Sequence, residues 1–174
     1  KSNRKMKFDS NIWPETTSES CPWTRWWWLG SAVSKKTITE LLEKYRKAGI
    51  GGVEITSIYG VKGREADEIE YLSPQWLEMI KHAISEAKRL DMKVDLPPGS
   101  GWRIGGNFLT KADSAMNLEL HKKDSGEVWT AQCLQAEEAV KRAGPGGGGP
   151  TFNPFKRDSL QAVIDHLTPV FKDL

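Results

Sequence analysis

The sequence predicts an α/β fold, a (β/α)8 TIM-barrel-like unit that is incomplete and holds about the first three to four β/α units. Three observations predict it. Short apolar runs alternate with stretches whose apolar residues recur every three or four positions, as strands alternating with amphipathic helices require. The connections are a few residues long, and strands linked through helices in this way lie parallel in one sheet. The chain has 174 residues, whereas a closed eight-stranded barrel takes about 250. Residues 1–20 read as an N-terminal tail, basic at its start, and residues 21–174 as the partial barrel.

The first strand is expected over Thr24–Leu29, inside a run that packs four of the eight tryptophans (Trp23, Trp26, Trp27, Trp28) into six residues. Gly30 ends it. Ser34 then reads as an N-cap, and Ile38, Leu41, Leu42, Tyr45 and Ala48 fall on one helix face. Gly49 stops that helix, because glycine adopts the left-handed closing conformation without strain. Gly51–Thr56 is the second strand. A loop with Tyr59, Gly60, Gly63 and an acidic patch (Glu65, Asp67, Glu68, Glu70) leads to Ser73-Pro74, a serine cap followed by proline at the first helical position. Leu77, Ile80, Ala83, Ile84, Ala87 and Leu90 form the second helical stripe. Lys93–Leu96 is the third strand, closed by Pro97-Pro98-Gly99-Ser100-Gly101-Trp102. Residues 103–134 carry no sustained period and read as irregular, and Gly146–Gly149 suits no regular element. A last amphipathic stretch, with Leu160, Val163, Ile164 and Leu167 on one face, is expected to end before Pro169.

Composition narrows the function. A net charge of +2 with acids and bases interspersed argues against a nucleic-acid partner. No run approaches 18 apolar residues, so no membrane span is expected. The charged start is not followed by an apolar stretch, so no signal peptide is visible. Cys21 and Cys133 lack metal spacing and read as two unpaired thiols. His82, His121 and His166 have no partner at ligand spacing. The Gly144–Gly149 stretch lacks the Lys-Ser/Thr ending of a phosphate loop and reads as a turn.

In α/β folds of this kind, ligands bind where loops converge at the carboxyl ends of the strands. That rule selects Glu54, within an apolar Val-Glu-Ile strand, and Asp95, within Val-Asp-Leu, as candidate catalytic carboxylates. A buried carboxylate must be paired, hydrogen-bonded or bound to metal. The structural alternative for Glu54 or Asp95 is an ion pair with Arg25 on the neighbouring strand. Arg25, Trp27, Trp28, Tyr59 and Trp102 are the candidate substrate-binding residues: indoles and a phenol for stacking on an apolar ligand face, a guanidinium for forked hydrogen bonds. Strand alternation sends Arg25 and Trp27 one way and Trp26 and Trp28 the other, and the sequence does not say which set faces the mouth.

Several blocks, taken in order, resemble glycoside hydrolase family 106. They are Pro22-Trp23-Thr24-Arg25-Trp26-Trp27-Trp28, Lys47–Thr56, Tyr71–Trp76, Asp95–Trp102 and Ala139–Gly147. Similarity is close over about residues 22–106 and looser over 135–165. The resemblance implies an α-L-rhamnosidase (β/α)8 catalytic barrel in a larger periplasmic or secreted bacterial protein that degrades plant polysaccharide. It also implies a rhamnose-containing glycan as partner, calcium in the site, and inverting hydrolysis by two carboxylic acids, which need about 6.5–9.5 Å between them for water to fit. The family's catalytic glutamates lie beyond the matched blocks, so no acid or base is carried over and no metal ligand is assigned. The family's long insertion between Trp102 and Gln135 is compressed here, and Gly148–Pro154 carries two prolines and no acid where the family has a strand ending in one. The alternative reading is a non-catalytic carbohydrate-binding remnant, or one that self-associates through open barrel edges.

Overall fold

A computed structural model describes residues 16–122, 129–135, 139–172 and 174. Residues 1–15 of the expected tail lie outside these. Three parallel strands, β1 (Trp23–Leu29), β2 (Gly52–Ile58) and β3 (Lys93–Asp95), form a sheet in the order β1-β2-β3. Helices α1 (Lys35–Lys47) and α2 (Pro74–Arg89) connect them. The α/β alternation read from the sequence is therefore present, with strands in sequential order.

The helix ends follow from local chemistry. The Ser34 hydroxyl accepts from the Thr37 N–H at 3.2 Å while the Thr37 hydroxyl accepts from the Ser34 N–H at 3.0 Å, satisfying donors that α1 itself cannot. Gly49, at φ +87°, closes α1: its N–H donates to the Arg46 carbonyl and the Ile50 N–H to the Tyr45 carbonyl, both at 3.0 Å. Helix α2 starts as expected, with the Ser73 hydroxyl accepting from the Trp76 N–H and Pro74 in the first turn. It ends on the same two-bond motif built without glycine, since Asp91 takes φ +51°.

Both helices cover one face of the sheet. Trp26, Trp28, Val53 and Ile55 point into that layer and meet Ile38 and Leu42 of α1 and Trp76, Met79, Ile80 and Ala83 of α2. Trp26 and Trp28 contact edge to face, ring centroids 5.7 Å apart. At 1% exposure, Trp28 belongs to this core. As a candidate for substrate binding it is corrected here, because alternation turns it toward the helices and away from the open face. Within the same layer the Trp76 indole N–H and the Ser31 hydroxyl both donate to the Ser57 hydroxyl, at 2.9 and 3.0 Å.

Three further expectations change. Residues 103–134 contain an antiparallel hairpin, β4 (Met116–Lys122) with β5 (Trp129–Gln135), in the register Met116↔Gln135. Residues 102–114 are also ordered, through bridges Trp102↔Lys141, Gly105↔Thr151 and Ser114↔Phe152. Helix α3 (Arg157–Phe171) runs through Pro169, since proline near a helix end forfeits one hydrogen bond and leaves the turns before it intact. Its Ser159 hydroxyl donates to the Asp113 carbonyl at 2.6 Å and accepts from the Asn153 N–H at 2.8 Å. Among the described residues no helix is long and apolar enough to cross a membrane, and Cys21 and Cys133 are free.

Candidate functional site

The face of the sheet turned away from α1 and α2 carries the candidates. Cross-strand register sets Arg25, Glu54 and Asp95 side by side in one row, and Trp27 opposite Thr56 in the next row toward the carboxyl ends. Glu54 lies in the first half of β2, deeper than the sequence suggested, because β2 continues to Ile58. Its carboxylate takes a fork from Arg25, with Nε to Oε1 at 2.8 Å and Nη2 to Oε2 at 3.1 Å. The Thr56 hydroxyl donates to Oε1 at 3.2 Å. The ion pair offered as the structural alternative for Glu54 is thus formed. Both partners are partly exposed, so the pair contributes at most about 1 kcal/mol to stability; its larger effect is to fix two polar groups on an otherwise aromatic surface. Asp95 is exposed, and its Oδ1 accepts from the Leu96 N–H at 2.8 Å.

Above this row the aromatic side chains form a ladder. Trp27 and Trp102 stack with centroids 5.3 Å apart and planes 28° from parallel. The Arg25 guanidinium carbon lies 5.2 Å from the Trp27 ring centroid. At the other end, that of Arg142 lies 5.2 Å from the Trp102 centroid and 5.8 Å from that of Tyr59. Such contacts are worth about 0.5–1 kcal/mol each at exposed sites. The stacking is offset and leaves Trp27 41% and Trp102 38% exposed, so indole surface remains for a ligand.

Backbone hydrogen bonds hold the ladder's loops. The Ser57 carbonyl accepts from the Gly101 N–H at 2.8 Å, and Trp102 and Lys141 exchange N–H···O bonds at 2.8 and 3.1 Å. The Tyr59 N–H donates to the Arg142 carbonyl at 3.2 Å. Buried Ser100 accepts from the Gly144 N–H at 2.6 Å. Gly101 has φ +72°, and a Cβ there would collide with the Lys141 and Arg142 carbonyl oxygens. The glycine in the Gly-Ser-Gly-Trp loop is therefore what lets Trp102 approach.

Of the sequence candidates, Arg25, Glu54, Asp95, Trp27, Tyr59 and Trp102 come together on this face; Trp28 does not. Arg142 was missed. Its sequence signals are its place in the Ala139–Gly147 block and its position two residues before the Gly144-Pro145 turn. The histidines have local partners elsewhere: His82 with Thr39 and Lys35, His121 near Glu119, His166 stacked on Phe108. Among the described residues no group of three or more His, Cys, Asp or Glu side chains is gathered where it could hold a metal ion.

The model of glycoside hydrolase family 106, described as alpha-L-rhamnosidase, matches residues 14–129, two thirds of the chain. This chain belongs to that family. The match takes in the aromatic ladder except Arg142, and it ends at residue 129. A Formosa agariphila protein named "Putative beta-glucuronidase" is 26% identical over 126 residues, which is 67% of this chain and 11% of that protein. The rhamnosidase from Novosphingobium sp. PP1Y is similar at 25% identity and a TM-score of 0.49, over 60% of this chain and 10% of that one. The family member described here thus spans about a tenth of the length of these relatives.

Proposed function

We propose that this chain forms part of the sugar-binding site of an α-L-rhamnosidase-type glycoside hydrolase, acting on a rhamnose-containing glycan. The observation that carries the reading is the half-exposed Trp27–Trp102 pair set beside the Arg25–Glu54 fork. Flat apolar surface next to fixed polar donors and acceptors suits a pyranose, which presents an apolar face and a hydroxyl rim. Trp27 and Trp102 are the platform, Tyr59 extends it, and Arg25 with Glu54 holds hydroxyls. Both Glu54 oxygens already accept from donors, so Glu54 acts as a holding group. Asp95, at the end of β3 and exposed, is the carboxylate better placed to reach a ligand.

The same reading takes β1 to β3 as the opening strands of a (β/α)8 barrel. Sequential parallel order and the placing of both connecting helices, α1 and α2, on the same face support it, because consecutive helices of a doubly wound sheet can fall on opposite faces. Inverting hydrolysis and a periplasmic or secreted setting follow from family membership as proposals, the latter testable by cell fractionation. The commitment of Glu54 to Arg25 also favours a second reading, in which this chain binds sugar without cleaving it. Release of chromophore from an aryl α-L-rhamnoside, measured beside calorimetry with methyl α-L-rhamnoside, separates the two. Turnover supports the hydrolase, heat without turnover supports the binding module, and the absence of both heat and turnover refutes the sugar site. Among the described residues β1 and β3 have no strand neighbour on their outer sides, which would suit pairing with a second copy, and a stable monomer in sedimentation would count against that association.

A further inference from the structure

The β4–β5 hairpin has no part in the sugar site. It is a separate two-stranded sheet, and all seven β4 residues are exposed. Alternation puts Met116, Leu118 and Leu120 on one face, with Cys133 opposite Leu118, and Asn117, Glu119 and His121 on the other. Leu118 is 64% and Leu120 59% exposed. A lone two-stranded hairpin is marginal in water, and independent stability comes with further strands and an apolar face. On the side away from β5, β4 has no strand neighbour among the described residues beyond the Ser114↔Phe152 bridge. An exposed edge of that kind is a template for another strand.

The order of side chains along β4 says which strand fits. Glu119 and His121 flank Leu120, and within one chain His121 Nε2 lies 3.3 Å from Glu119 Oε2. In an antiparallel pair of β4 strands centred on Leu120, each Glu119 falls opposite His121 of the second copy. Leu120 then meets its own equivalent, and Leu118 lies along the aliphatic stem of Lys122 of the second copy. Centring the pair on Glu119 would oppose two like charges, which is destabilising. Centring it on Leu118 would set His121 opposite Ala115 and lose both charge pairs. The charge pattern therefore selects one register. Leu120 also stands six residues beyond the Ser114 bridge, about 20 Å at about 3.4 Å per residue, so a two-fold axis there keeps the two bodies at opposite ends of the pair.

We propose that β4 is a self-pairing strand through which two copies of this chain join, antiparallel and two-fold symmetric about Leu120, into a four-stranded sheet β5-β4-β4-β5. The two Glu119–His121 pairs are equivalent by symmetry, as in any isologous contact, and the apolar stripes of both hairpins merge into one face. The association is independent of the sugar site.

Sedimentation velocity of the 174-residue chain over a concentration series should show a reversible monomer–dimer equilibrium. Glu119→Lys sets a cation opposite His121, and His121→Glu sets a carboxylate opposite Glu119. Each should weaken the dimer roughly 3- to 30-fold, because two cross-strand pairs are lost at once. The double variant Glu119→Lys/His121→Glu restores opposite charges in the same register and should recover the affinity of the unaltered chain. Both positions are exposed, and circular dichroism confirms that each variant is folded. A monomer at every concentration overturns the proposal. So does a dimer that survives both single variants, as pairing through β1 or β3 would, and so does a double variant that pairs no more tightly than the single ones.

Discussion

Adjacent tryptophans on β1 should respond to truncation in opposite ways. Trp28 is 1% exposed and packed between the sheet and both helices; Trp28→Ala opens a core cavity and should cost about 3–5 kcal/mol. Against a total stability of about 5–15 kcal/mol for a domain, that is about a fifth or more. Trp27 is 41% exposed and has two ring-type contacts, one to Trp102 and one to Arg25. Losing a stacked pair at about 0.5–1.5 kcal/mol and a cation–π contact at about 0.5–1 kcal/mol puts Trp27→Ala near 1–2.5 kcal/mol. Urea unfolding followed by circular dichroism reads both values, provided the slope is unchanged between variants. Sugar binding should reverse the order. Trp27→Ala should weaken methyl α-L-rhamnoside roughly 3- to 10-fold if a ring contact of that size is lost. Trp28→Phe, which keeps most of the core volume, should leave binding intact. Equal destabilisation by the two alanine variants, or a binding loss confined to Trp28→Phe, would refute the assignment of the two faces.

Gly101→Ala should displace Trp102 and cost about 2 kcal/mol or more, because the site combines a left-handed backbone with a collision against two carbonyl oxygens; quenching of the exposed indoles should rise in parallel. The Tyr71 hydroxyl is buried without a hydrogen-bond partner among the described residues, and burial pushes its ionisation upward. Tyr71→Phe should therefore leave stability unchanged or raise it by about 1 kcal/mol in a thermal melt. The Asp113 carboxyl is held below its usual range, first by the Thr110 hydroxyl and then by Lys156. A lowered folded pKa means that the contribution is full above the unfolded value of about 3.9 and is lost as pH falls through the folded one. Hydrogen exchange of α3 should thus speed up below about pH 4, and Asp113→Asn should remove that pH dependence.

The helices and the first two strands were legible because their signals are local. Ser34, Gly49 and Ser73-Pro74 mark ends by their own chemistry, and the stripes from Ile38 to Tyr45 and from Leu77 to Leu90 need only a 3.6-residue period. Trp76 and Met79, buried but off the expected stripe, show where a helix packed on a sheet has a broader apolar face. The hairpin was missed although Met116, Leu118 and Leu120 alternate with Asn117, Glu119 and His121. All seven β4 residues are exposed, so no burial requirement enforces a longer apolar pattern. The site was half legible. Arg25, Glu54 and Trp27 share a face by alternation, yet only the helices on the other side decide which face is open. Arg142 reaches Trp102 through a return of the chain over some forty residues, a contact that no local period encodes.

The most direct measurement is the indole N–H spectrum of the isotope-labelled chain during titration with methyl α-L-rhamnoside. The Trp27 and Trp102 signals should shift with one common dissociation constant, while those of Trp26, Trp28 and Trp76 stay in place. Shifts confined to the buried indoles, or no shift at saturating sugar, would contradict a sugar site on the open face of this sheet.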